Sequence, residues 1–175
     1  GPPPIVFTLG SSAVLVAGRF WRDSIEAARR LQARAVLLAG PEQAPILQRE
    51  LQQRGLTGIM AVERAPHSLL FPRASAIVQQ CGIGTLAQGL RSGRPLLAVP
   101  YAHDQPDNAW RAARLGVARI VHPPSYKAPR AARELGRLLE EPAYAAAAAR
   151  VAAMITREGG SDAACDAIAR TFSLR

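Results

Sequence analysis

At 175 residues the chain is long enough for a full hydrophobic core and short enough to be a single domain. Its formal charge of +9 rests on twenty-one arginines and one lysine, Lys127. The arginines are spread along predicted helices, without a basic run or interleaved aromatics, so the excess argues against a nucleic-acid surface and for no more than a general affinity for anions. No apolar run approaches the ~20 residues that cross a bilayer. The opening Gly1-Pro2-Pro3-Pro4 lacks the basic and apolar regions of a signal peptide and reads as a linker or a processed end. Two cysteines, Cys81 and Cys165, occur without a C-x-x-C, which fits free thiols in a reducing cytosol and a cytoplasmic protein.

In chain order, Ile5–Leu9 is a first buried strand, broken by Gly10-Ser11-Ser12. Arg19–Leu31 places Phe20, Trp21, Ile25, Ala28 and Leu31 near one helical face. Ala35–Ala39 is a second strand ended by Gly40-Pro41, and a helix is expected from about Pro45 to Gln53, stopped by Gly55. Ile59–Val62 is a third strand, Glu63–His67 the loop after it, and Ser68–Phe71 a short helical turn. Ala76–Val78 and Leu96–Val99 are further strands. Between them a glycine turn opens a helix through Leu86 and Leu90 to Ser92. The helix after Pro106 carries Trp110, Ala113 and Leu115, and Gly116 ends it. Val117–Val121 is a last strand, followed by helices over Pro129–Glu140, Tyr144–Arg157 and Asp162–Phe172, the last with Ser161 as its expected N-cap. About six strands alternating with helices predict a Rossmann-like, doubly wound parallel sheet in one domain spanning residues 1–175.

In such a sheet four loops meet at the carboxyl edge, where open α/β folds bind ligands: Gly10–Ser12, Glu63–His67, Gln79–Thr85 and Tyr101–Asn108. Gly82 and Gly84 let backbone amides approach a ligand, and the helix they open adds unpaired N–H groups and a partial positive charge. An anion, most plausibly a diphosphate, is the expected guest. Plainer readings stand beside this one. The glycines alone can make a tight turn, Ser11 and Ser12 a simple approach to a helix, His67 a solvated loop histidine, and Asp104 or Asp107 a helix cap. The dinucleotide fingerprint is incomplete, since Ala87 stands where its third glycine belongs. His67, His103 and His122 lack metal-ligand spacing, and no D-x-D, H-E-x-x-H, G-x-S-x-G or Walker-type loop occurs.

The stretch QQCGIGTLAQGL (Gln79–Leu90) followed by GRPLLAVPYAHDQPDNAWRAARLGVA (Gly93–Ala118) resembles the donor-binding signature of the two-domain GT-B nucleotide-sugar glycosyltransferases. It is most similar to the bacterial and sterol/macrolide branch of the UDP-glycosyltransferase family, whose signature usually reads H-x-G-x-G-T, then G-x-P, then P-x-x-x-D-Q-x-x-N-A. The resemblance implies the C-terminal half of an inverting GT-B enzyme that moves a hexose from a UDP- or dTDP-sugar to an acceptor hydroxyl. It implies no metal or other cofactor. The acceptor site and the catalytic histidine base belong to an N-terminal domain that this sequence does not supply, so no catalytic residue is expected here.

The same resemblance implies the site. Arg64 takes the position that stacks on the nucleobase, where a planar guanidinium serves, and backbone groups of Ala65 and His67 read the base edge. Gln88 stands where the plant branch holds the ribose with a glutamate; its amide oxygen accepts more weakly. Ser11, Gln80, Gly82, Gly84 and Thr85 surround the phosphates. Gln80 departs from the family's usual histidine, since an amide donates a neutral hydrogen bond and carries no charge. Asp104 and Gln105 face the sugar hydroxyls. The expected partners are the nucleotide-sugar and the chain's own N-terminal domain. Three alternatives remain open at this point: a non-catalytic nucleotide-binding module, a UDP-GlcNAc-using or lipid-glycosylating relative of the same fold, and a Rossmann-like oxidoreductase, the last weakened by the sequence after Gly10.

Overall fold

The computed structural model describes residues 1–10 and 17–172. Six strands form one parallel sheet: β1 (Ile5–Thr8), β2 (Ala35–Leu38), β3 (Ile59–Val62), β4 (Ala76–Gln79), β5 (Leu96–Ala98) and β6 (Ala118–Ile120), in the order β3-β2-β1-β4-β5-β6. The register puts Ile5 opposite both Ala35 and Ala76, so β1 is the central strand from which the sheet grows in both directions. β1, β2 and β4 are buried at every residue. Continuous apolar runs of this kind are what a sheet covered on both faces requires.

Alternate side chains feed two cores. On one face, Ile5, Phe7 and Leu37 pack against α1 (Phe20–Arg30), α2 (Gly40–Gln53) and α6 (Ala128–Glu140), through Phe20, Trp21, Ile25, Leu47, Leu51, Leu135 and Leu138. On the other, Val6, Ile77 and Leu96 meet Phe71, α4 (Ile83–Arg91), α5 (Gln105–Arg114) and α7 (Pro142–Arg157) through Leu86, Ala109, Ala112, Ala147 and Val151. The short α3 (His67–Leu70) and a 3-10 turn (Phe71–Arg73) join β3 to β4. The alanine run of α7 is a packing surface, since Ala147 and Ala148 are buried where that helix lies against α4 and α6.

Several helix starts differ from expectation, three of them at glycine turns. α2 begins at Gly40, not Pro45: Gly40 turns the chain with φ +76, Pro41 sits in the first turn where a missing N–H costs nothing, and Pro45 lies inside the helix. α4 begins at Ile83 behind Gly82, so Gly84 and Thr85 lie within its first turn. α8 (Gly160–Phe172) starts at Gly160, φ +54, which puts Ser161 inside the helix instead of at its cap. None of the α8 residues is buried.

Gly89 shows how closely α4 lies on the sheet. A Cβ there would come 2.6 Å from Gln79 Nε2 and 3.1 Å from Leu96 Cδ2, both on fully buried side chains. Alanine gains about 1 kcal/mol over glycine in helix propensity, but overpacking a filled core costs about 1–3 kcal/mol. Gly89→Ala should therefore lower the melting temperature, measured by circular dichroism.

Candidate functional site

The crevice opens where the sheet switches direction, between the carboxyl ends of β1 and β4. Gly10 leaves β1 with φ +65, and a Cβ on it would stand 2.2 Å from Gln80 Nε2. Gln80 is 4% exposed, and its amide also lies against Gly82, where a Cβ would come within 3.2 Å. Its Oε1 is buried without a hydrogen-bond partner among the described residues. Gln80 thus fills the gap between the two glycine turns, with polar capacity unspent at the bottom of the crevice.

A cleft of about 530 Å³ runs from this point across the ends of β2 and β3, with Thr8, Gly10, Leu38, Gly40, Pro41, Glu63, Arg64, Ala65, His67, Gly84 and Thr85 as its walls. Besides the four-residue α3, two longer helices start at it, and their chemistry differs. In α2 the Gly40 N–H is donated to Glu63 O at 3.1 Å, Pro41 has no N–H, and Glu42 adds a negative charge to the first turn. In α4 the first N–H paired within the helix is that of Leu86, donated to Gly82 O at 2.9 Å. The N–H groups of Ile83, Gly84 and Thr85 precede it, and that turn contains no acid. The free donors and the positive end of the dipole at α4 make it the end suited to an anion.

Arg64 is exposed at the rim of the cleft and Ala65 half-buried beside it. His67 opens α3 and is not a freely solvated histidine: its ring stacks on the buried Phe71 with centroids 4.3 Å apart and planes 14° from parallel. Burial lowers its pKa, which keeps the imidazole neutral at physiological pH. Gln88 is half-buried, one turn beyond Gly84 on α4, and is not among the cleft walls. Ser11 lies outside the described residues.

Asp104 and Gln105 stand at the start of α5, beyond the glycine turn, and do not line the cleft. Asp104 is exposed at the N-cap position but makes no side-chain capping bond. Its Oδ2 instead accepts from Asn108 Nδ2 at 2.7 Å. Gln105 is 5% exposed, and its Oε1 accepts the N–H groups of Tyr101 at 2.8 Å and Ala102 at 3.2 Å, which shapes the loop before α5. Asp107 pairs with Arg111 on the outer face of α5 at 2.7 Å. The sequence reading missed the wall formed by Leu38, Gly40 and Pro41, although the Gly-Pro pair directly after a strand was the available signal. It also missed Asn108, whose signal is its i+4 spacing from Asp104. Among the described residues no three His, Cys, Asp or Glu side chains gather in a metal-binding group, and no helix is long and apolar enough to cross a membrane.

A doubly wound sheet with a glycine turn and a donor-rich helix start at its switch point defines an open α/β domain with its crevice where such folds bind ligands. The chain belongs to the family described as "Erythromycin biosynthesis protein CIII-like, C-terminal domain", which matches residues 28–165, and its fold is that of the C-terminal domain of GT-B glycosyltransferases. It is 33% identical over 168 residues to O-mycaminosyltylonolide 6-deoxyallosyltransferase of Streptomyces fradiae, covering 94% of this chain and 37% of that protein. To vancomycin aglycone glucosyltransferase of Amycolatopsis orientalis it is 34% identical over 123 residues, 70% of this chain and 28% of the relative. Among solved structures, the glycotransferase of kitacinnamycin superposes with a TM-score of 0.83 at 26% identity, over 97% of this chain and 43% of that one. Glycosyltransferase VinC in complex with DTDP gives 0.74 at 28% identity, over 90% and 39%. The chain spans less than half the length of each of these proteins.

The turn also fixes the thiol chemistry. Cys81 is fully buried with φ +67, and burial, together with the Asp104 charge, pushes its thiol up to about 12. It therefore stays protonated at pH 8 and shielded from reagents, whereas Cys165 is exposed. Native protein should release one equivalent of thionitrobenzoate from Ellman's reagent and denatured protein two, matching the two free cysteines.

Proposed function

We propose that this domain binds the nucleoside diphosphate-sugar donor of an inverting glycosyltransferase that passes a hexose to an acceptor hydroxyl. The observation that carries the reading is the start of α4. Its unpaired N–H groups, behind Gly82 and beside Gln80, open onto a cleft deep enough for a nucleotide. The diphosphate would lie over Gly82, Gly84 and Thr85, with Ser11 and the amide of Gln80 beside it. The base would stack on Arg64 and be read by backbone groups of Ala65 and His67, Gln88 would accept from the ribose, and Asp104 and Gln105 would meet the sugar. VinC, the relative solved with DTDP, supports the nucleotide part of this reading.

In the reaction a base deprotonates the acceptor hydroxyl, its oxygen attacks the anomeric carbon, and the bond to the nucleoside diphosphate breaks. This domain would stabilise the charge that gathers on the departing phosphate by fixed N–H dipoles that need no reorganisation. The acceptor site and the base would lie in the part of the protein that the relatives have beyond the matched region. Met154, Ile168 and Phe172, all more than half exposed on α7 and α8, are apolar surface that such a second domain would cover.

Because backbone donors meet the phosphates, binding should not depend on a divalent metal. Titration calorimetry should show heat with UDP or dTDP that EDTA leaves unchanged; loss of that heat in EDTA, or none from either ligand at millimolar concentration, would count against the reading. Asp104→Ala should weaken UDP-glucose or dTDP-glucose by about 1–3 kcal/mol, the loss for one partner of a charge-assisted hydrogen bond. It should leave the free nucleoside diphosphate and the melting temperature nearly unchanged, because Asp104 is exposed and makes no capping bond. Equal weakening of both ligands would leave a nucleotide-binding module with no sugar site.

A further inference from the structure

We propose that Asn108 is a positioning residue that holds the carboxylate of Asp104 in fixed register with the diphosphate turn. The inference rests on the donor-binding reading above and goes beyond it by naming what joins the two halves of the site. Asn108 is half-buried on the second turn of α5. Its Nδ2 lies 3.0 Å from Cys81 O and 2.7 Å from Asp104 Oδ2. Both acceptors are oxygens, one of a peptide carbonyl and the other of a carboxyl group, so the nitrogen of the amide faces them. Its two N–H bonds are thus divided between the glycine turn and the sugar-facing acid.

Each of those acceptors lacks another support. Asp104 has no capping bond to its own helix, and an exposed aspartate without one samples several rotamers. The Asn108 amide one turn further on selects the rotamer that faces the glycine turn. Cys81 holds φ +67, a left-handed conformation unfavourable for a non-glycine residue that persists only where its surroundings fix it. Since the peptide plane is rigid and trans, tying Cys81 O to Asn108 aims the N–H of Gly82 the opposite way, away from α5. One amide therefore sets both the carboxylate that would meet the sugar and the plane of the peptide that would meet the phosphate.

The test is a double-mutant cycle, with affinities for UDP, dTDP, UDP-glucose and dTDP-glucose measured by calorimetry on the wild type, Asp104→Ala, Asn108→Ala and the double variant. The quantity read is the preference for the nucleotide-sugar over its free diphosphate. Asn108→Ala should cut that preference about tenfold, the size of a hydrogen bond to a charged group. The double variant should then lose little more, because Asn108 acts through Asp104. Asn108→Ser, which keeps one donor, should retain part of the preference and guards against an alanine variant that fails to fold. Multiplicative losses in the cycle, an unchanged preference in Asn108→Ala, or a serine variant no better than alanine would overturn the role. A wild type that binds none of the four probes removes the donor-binding reading and this role with it; binding with an additive cycle removes the role of Asn108 alone.

Discussion

The site depends on the reversal of strand order at β1. β2 and β3 are added on one side of it and β4 to β6 on the other, so the chain leaving β1 and the chain leaving β4 diverge to opposite faces and leave a crevice between them. The crevice is narrow. Gln80 occupies the space that a side chain at position 10 would need and crowds one at position 82, so position 10 must be glycine and a side chain at position 82 would need the amide to give by a few tenths of an ångström. Close approach, more than freedom in φ, is what Gly82 supplies, whereas Gly10 needs both.

The electrostatics follow from the same packing. A buried amide at Gln80 and an α4 start without acidic residues give the floor of the crevice oriented dipoles. Five arginines are engaged elsewhere: Arg29 and Arg30 with Glu26, Arg54 with Glu50, Arg111 with Asp107, and Arg119 with Glu134 and the Tyr144 hydroxyl. The Arg119–Glu134 pair is partly buried and ties edge strand β6 to α6, with the carboxyl held below its usual range by the guanidinium against the opposing effect of burial. Of the arginines, Arg64 alone stands among the described walls of the cleft. The net charge of +9 therefore describes the outer faces of the helices more than the site, and at physiological salt it acts over little more than a Debye length of about 8 Å.

The strands were legible in the sequence because a sheet covered on both faces demands short continuous apolar runs, and those of β1, β2 and β4 are unmixed. Loop positions at the carboxyl edge followed from the alternation of strand and helix, and the family from the motif. Helix starts were less legible. Pro45 looked like a first turn because proline usually is, whereas Gly40 and Pro41 had already supplied the turn and left Pro45 inside the helix. Side-chain partnership was not legible at all: nothing in the sequence says that Gln80 is wedged against Gly10, or that His67 lies flat on Phe71. Asp104 was readable as a cap or as a ligand, and the structure shows a bond from Asn108 and no capping bond.

Gln105 narrows the chemistry open to the Asp104–Gln105 pair. As free side chains, a carboxylate and an amide side by side suit a vicinal diol, the acid accepting and the amide doing both. In the folded loop the Gln105 carbonyl oxygen is already occupied by the N–H groups of Tyr101 and Ala102, so only its amino group is left to offer. On the donor-binding reading the two residues then have fixed and opposite roles. One sugar hydroxyl donates to Asp104, and its neighbour accepts from Gln105. Such a pair recognises the direction of the hydroxyl hydrogens as well as their positions. It would discriminate against a sugar that lacks either hydroxyl, because a buried or oriented group left without its partner costs more than the bond contributes when made.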